Sequence, residues 1–93
     1  MRRDINKVIA FMVRHVIPES ETNLRTELEE LYRRCFFSSP EMQANQRWRE
    51  FAAILYSHLG DPTIGDDWKS RVGRIVRDEE KVPDEFKELQ PRA

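Results

Sequence analysis

The chain contains little cysteine, histidine or glycine, and each shortage removes a class of function. The single cysteine among 93 residues, Cys35, excludes an internal disulfide framework and a cysteine-built zinc site. No ligand-type residue follows His15 or His58 within the same predicted helix, so we expect no metal site. Three glycines form no phosphate-binding loop, and no nucleophile or cofactor motif is present. The sequence therefore predicts a protein without catalytic activity, cofactor or metal.

Long apolar runs and a strong net charge are also missing. No run approaches the roughly 18 apolar residues that a membrane-spanning helix needs. Asp4, Lys7 and Arg14 interrupt the apolar stretch that a signal peptide would require, so we expect a cytoplasmic protein. The net charge is −1, from 16 basic and 17 acidic residues, which argues against a general nucleic-acid binder.

What is present is a regular helical pattern over a length that suits one small domain. Apolar residues recur with helical spacing almost throughout, and no alternating strand pattern is found. We predict an all-α single domain, a compact bundle of four amphipathic helices plus a short C-terminal helix. The predicted helices cover about residues 4–16, 24–37, 40–59, 67–80 and 83–89.

Capping residues set these boundaries. Gly60 supplies a left-handed stop for the third helix, and Pro18 ends the first. The predicted start signals are Asp4, Asn23, Ser39 before Pro40, and Asp66.

The predicted core combines the apolar faces of all four helices, and residues of the second, third and fourth form its centre. Cys35 lies on the inner face near a helix C-terminus, where the helix dipole disfavours a thiolate, so we expect a buried thiol rather than a nucleophile. The first helix has more apolar surface than such a core needs, which makes a homodimer a possible arrangement. The centre of the predicted core is Leu24, Leu28, Leu31, Trp48, Phe51, Leu55, Trp68, Val72 and Ile75.

Arginine and aromatic side chains outside the core predict a protein-binding surface. Twelve of the 16 basic residues are arginine, and protein interfaces favour arginine and aromatic residues over lysine. Three arginines share one face of the fourth helix with a lysine at its edge, and three aromatic residues lie off the core stripes. These residues are Arg71, Arg74, Arg77, Lys69, Phe11, Phe37 and Tyr56.

The arginine-bearing helix is followed by an acidic tail. Residues 47–77 carry six basic and four acidic side chains, whereas residues 78–93 carry three and six. Two interpretations stay open: a solvated face balanced by its own tail, or a two-sided surface for a partner, over which the tail can fold back.

Two functional hypotheses follow. The first is a non-catalytic interaction module, such as an inhibitor, immunity protein, adaptor or regulatory subunit. The alternative is a helix-turn-helix-like DNA- or RNA-binding regulator that uses the second and third helices or the basic face of the fourth. Its base-reading side chains would be Gln43, Gln46, Arg47 and Arg49, although these point to different sides of the helix.

Overall fold

The computed structural model describes residues 4–37, 44–60 and 67–87 of the chain. Over these residues the protein is helical and contains no strand, which confirms the all-α prediction. No helix within the described ranges is long and apolar enough to cross a membrane. The helices are α1 (Ile5–His15), α2 (Thr22–Phe37), α3 (Ala44–Leu59) and α4 (Trp68–Val76).

Side chains satisfy the backbone at both ends of α1. The Asp4 carboxylate accepts hydrogen bonds from the N–H groups of Asn6 and Lys7, so the predicted cap is confirmed. At the other end, the guanidinium of Arg25 donates to the carbonyl oxygens of Val13 (2.6 Å) and Ile17 (3.0 Å). A cation at a helix C-terminus also interacts favourably with the helix dipole. Arg25 thereby ties α2 to the end of α1.

Helix α2 begins two residues earlier than predicted. The N–H of Glu21 donates to the carbonyl oxygen of Pro18, which closes a turn directly after the proline. The Glu21 carbonyl then accepts the first helical hydrogen bond, from the N–H of Arg25 at 3.0 Å. Asn23 is therefore inside the helix, and the prediction that it is the cap was wrong. The predicted start of the third helix at Pro40 lies outside the described residues.

Buried apolar side chains from all four helices form one core. Seven of the nine predicted core residues are buried, whereas Trp48 and Trp68 are partly buried at its edge. The sequence pattern left α1 out of the centre, but in the structure α1 supplies a large part of the core. Its buried residues are Ile5, Val8, Ile9, Phe11, Met12 and Val13. The apolar surface that suggested a homodimer is thus covered within the chain, which removes the reason for that prediction.

The ends of α3 and α4 both use a residue with positive φ. Gly60 has φ +69°, and its N–H bonds the Tyr56 carbonyl at 3.0 Å, as predicted for a left-handed stop. Helix α4 ends at Val76 rather than at residue 80, because Asp78 adopts φ +62° and reverses the chain. Aspartate is one of the few residues that tolerate this conformation.

The hydrogen bonds after α4 form a Schellman motif. The N–H of Glu79 donates to the Arg74 carbonyl at 2.8 Å, and that of Asp78 to the Ile75 carbonyl at 3.1 Å. Continuing the helix would place three acidic residues at the negative end of its dipole, which is unfavourable. The acidic segment therefore leaves the helix and turns back.

Residues 79–87 cross the surface of the helices, and we name them the C-terminal strap. Val82 and Phe86 are partly buried against the core, which anchors the strap at two points. The N–H of Phe86 donates to the Pro83 carbonyl at 3.0 Å, which closes a single turn. Within the described residues the predicted helix 83–89 is only this turn. Helices of one or two turns gain too few hydrogen bonds to be stable alone.

Candidate functional site

Arg71 and Arg74 of α4, and Arg77 directly after it, are all paired with acidic residues of the C-terminal strap. One carboxylate oxygen of Glu80 lies 2.7 Å from Arg71 Nε, and the other lies 3.6 Å from Arg74 Nε. Arg77 Nη2 lies 2.9 Å from Glu79 Oε2. The arginine side chains keep 36–39% of their surface exposed, so the strap neutralises their charge without burying them. The tail folds back over the arginine face, one of the two arrangements that the sequence left open.

A cap at Asp67 holds the start of this helix. Asp67 Oδ1 accepts hydrogen bonds from both the backbone N–H and the hydroxyl of Ser70, each at 3.1 Å. The Ser70 N–H stabilises the carboxylate and lowers the pKa of Asp67, and the Ser70 hydroxyl adds to the effect. The predicted cap, Asp66, was therefore one residue too early.

The C-terminal strap covers an aromatic cluster next to the arginines. Phe11, predicted to be a partner-binding residue or a lid, is only 5% exposed. Its ring centroid lies 5.3 Å from those of both Phe86 and His15, with the Phe86 ring edge-on. Arg71 places its guanidinium carbon 5.6 Å from the centre of the Phe11 ring. We call Phe11, Arg71, Arg74 and the exposed His15 the covered surface, because the strap contacts all four.

A second surface lies between α3 and α4, and none of the residues that the structure describes forms such a cover over it. Tyr56 is 51% exposed, and it is the exposed large hydrophobic side chain among the described residues. It lines a shallow apolar groove whose far side is formed by α4. We call this groove the open surface, lined by Ala52, Leu55, Tyr56, Val72, Gly73, Val76 and Arg77.

The structure exposes two of the four residues of the nucleic-acid hypothesis on α3. Gln46 and Arg49 are exposed on α3, whereas Arg47 is half-buried and its Nε is shielded from solvent. Gln43 lies outside the described residues. A recognition helix needs several base-reading side chains on one exposed face. In the described part of α3, two of the four candidates meet that requirement.

Cys35 lies at the packed side of α2. It is 4% exposed, and burial raises the pKa of its thiol, an effect that the positive charges of Arg47 and Arg34 oppose and the negative charge of Glu50 reinforces. A buried thiol with a raised pKa is a poor nucleophile. The structure therefore places Cys35 in the core, as predicted.

Lys69 and Phe37 are the two remaining residues that the sequence predicted for partner binding. Lys69 is exposed at the start of α4, with its Nζ 5.9 Å from the centroid of the Trp68 ring. The side chain of Phe37 lies outside the described part of the chain. His58 hydrogen-bonds Glu27 and so links α3 to α2. Within the described ranges no group of three His, Cys, Asp or Glu residues is arranged to hold a metal ion.

Sequence reasoning missed Glu79, Glu80 and Phe86 as parts of the site. Glu80 lies nine positions after Arg71, a spacing that no helix brings together, so a periodic pattern contains no signal for this pair. The change of charge sign after Arg77 was the available signal, and it indicated attraction without indicating partners.

Comparison with known proteins found no match among family models, curated proteins or solved structures. Two surfaces share α4. The chain's own C-terminal strap occupies one, and the other is not covered by any residue in the described ranges.

Proposed function

We propose that this protein is a small non-catalytic interaction module that binds a protein partner through its open surface. The observation that carries the proposal is the 51% exposure of Tyr56 beside an apolar groove. An exposed tyrosine has an apolar ring for contact area and a hydroxyl for a hydrogen bond, and it loses little conformational entropy on binding.

The neighbours of Tyr56 add to this argument. Arg77 lines the same groove, and tyrosine and arginine are enriched among the residues that dominate binding energy at interfaces. Ala52, Gly73 and Val76 are small residues, and they make the groove a shallow apolar contact surface. The partner that fits is a protein with an apolar side chain for the groove and an acidic or polar rim for Arg77.

The groove beside Tyr56 also agrees with a regulatory role. A domain with such a surface can block or bridge a larger protein without carrying out chemistry itself. We therefore propose an inhibitor, adaptor or regulatory subunit as the class of function.

Site-specific photo-crosslinking in the native cell tests this proposal. A photoreactive benzoylphenylalanine at position 56 should crosslink to one discrete partner, whereas the same group at Arg33, an exposed position on α2, should not. With that partner purified, Tyr56→Ala should weaken binding at least about tenfold, the usual scale of an interface hot spot. Arg77→Gln, which removes the charge beside the groove, should also weaken binding. Arg33→Gln is its matched control and should leave affinity unchanged.

Two results would contradict the proposal. One is equal crosslinking from positions 56 and 33. The other is retention of a DNA or RNA duplex at physiological salt, lost on Arg49→Gln but not on Tyr56→Ala, which would favour the helix-turn-helix hypothesis.

A further inference from the structure

The C-terminal strap contacts the covered surface in the manner of a bound peptide. Its Glu80 carboxylate is held by Arg71 and Arg74 on separate oxygens. Six residues later, the Phe86 ring packs edge-on against Phe11 and His15, at interplanar angles of 80° and 81°. An acidic group held by paired arginines and an aromatic ring held by an aromatic cluster are both common recognition elements.

The attachment of the strap is weak enough to be reversible. Glu80 is 29% exposed and its arginine partners 39%, so water and salt compete for these ion pairs. The hydrogen bond from Lys7 Nζ to the Asp84 carbonyl is long, at 3.4 Å. Segments held by few buried contacts open locally at low free energy. Release of the strap uncovers Phe11 and frees two arginines.

We propose that the covered surface is a second binding site, which the C-terminal strap occupies as an internal ligand until a partner replaces it. This inference deepens the proposed function and rests on it. The ligand is an acidic segment of the partner protein that has an aromatic side chain about six residues after a carboxylate. Its chemistry is that of the strap itself, because the surface is complementary in charge and shape to those two groups.

The two surfaces are connected through Arg77. This residue lines the open groove and also pairs with Glu79 of the strap. A partner that binds the open surface with an acidic rim competes with Glu79 for Arg77 and loosens the start of the strap. Partner binding at the open surface thereby favours release of the strap from the covered surface.

Tethering sets the affinity that a competing segment must reach. A short tether gives the strap an effective concentration of about 1 mM at its site. A strap that is mostly closed must therefore bind, as a free peptide, with a dissociation constant below about 1 mM. A partner segment of equal quality cannot displace it at micromolar concentration unless it also binds the open surface. The strap thus excludes weak acidic ligands.

The test uses a fluorescent synthetic peptide of residues 78–87 and the full chain in three forms. These are the wild type, the variant Glu80→Gln with Phe86→Ala, and the control Glu85→Gln, which changes an exposed strap residue. We expect the peptide to bind the double variant below about 1 mM and the wild type about tenfold more weakly. The control variant should behave as the wild type. A peptide carrying the same two substitutions should not bind.

Two results of this binding experiment would overturn the proposal. No binding to the double variant up to about 1 mM would overturn the proposal, because the strap could not then hold its site. Equal binding to all three proteins would also overturn it, because the strap would not compete. If the double variant fails to fold, the single variant Glu80→Gln replaces it. Its affinity for the peptide should lie between that of the wild type and that expected for the double variant.

This experiment can fail independently of the proposed function. The peptide assay contains no partner and does not involve Tyr56, so Tyr56→Ala should leave peptide affinity unchanged. Failed crosslinking from position 56 together with successful peptide binding would reject only the open surface. The opposite pair of results would reject only the covered surface.

Discussion

Phe11 and Tyr56 lie on the two surfaces that share α4, and their surroundings differ. Phe11 is 5% exposed beneath Phe86, and the arginines near it are paired with Glu80. Tyr56 is 51% exposed beside an apolar groove. The difference arises from the C-terminal strap, which turns toward Phe11 and away from Tyr56. One surface is therefore occupied by a segment of the same chain, whereas no described residue covers the other.

Truncation of the two aromatic residues should show the largest contrast. Phe11→Ala should lower the free energy of unfolding by about 3–5 kcal/mol, because it removes a buried ring from the core. Tyr56→Ala should change it by less than about 0.5 kcal/mol, as at other exposed positions. Urea denaturation followed by circular dichroism measures both. Similar losses in the two variants would show that the surfaces do not differ in burial.

Removal of the Phe86 ring should have the next largest effect. Phe86→Ala should cost about 1–2 kcal/mol, since a partly buried ring and its aromatic contacts are lost. Lys87→Ala, at an exposed strap position, is the matched control and should be neutral. The same denaturation experiment measures this difference. A neutral Phe86→Ala would mean that the strap does not rest on Phe11.

Neutralising the strap carboxylates should have a smaller, salt-dependent effect. Glu80→Gln should cost up to about 1 kcal/mol, because partly exposed ion pairs contribute little. Glu79→Gln should cost less, because Glu79 is 54% exposed against 29% for Glu80. Thermal unfolding at low salt and at about 1 M salt, where screening is nearly complete, should show the Glu80→Gln difference shrink. A difference that persists at high salt would contradict the ion-pair account.

Acidification should give the smallest effect, since it acts on the start of α4, which both surfaces share. The folded-state pKa of Asp67 is lowered, so its cap stabilises the fold above the ordinary aspartate pKa. That contribution decreases below the ordinary value and is lost as pH falls through the folded-state pKa. Asp67→Asn keeps a capping oxygen without titrating. The stability of the wild type relative to this variant should therefore decrease as the pH is lowered. A stability difference that stays constant with pH would contradict the role of the cap.

Local patterns predicted most of the helices and their stops. Helical spacing of Leu24, Leu28 and Leu31 identifies a face that is buried in the structure, and Gly60 marks the end of α3. These features depend on residues within one or two turns of each other. Sequence periodicity contains that information directly.

The covered surface could not be predicted in the same way. Its existence depends on the chain reversal at Asp78 and on contacts between chain segments that are far apart. Phe11 and Phe86 are 75 positions apart in the sequence, and no periodic pattern relates them. The aromatic side chains off the helix stripes were recognised, but which of them the strap covers is a property of the tertiary fold.

The central claim is that the C-terminal strap rests on Phe11 and leaves Tyr56 free. Nuclear Overhauser spectroscopy of the wild-type protein tests it most directly, because the ring centroids of Phe11 and Phe86 are 5.3 Å apart. We expect cross-peaks from the Phe86 ring protons to Phe11 and His15, and none from Phe86 to Tyr56. Random-coil shifts for Phe86 without cross-peaks to Phe11 would contradict the account.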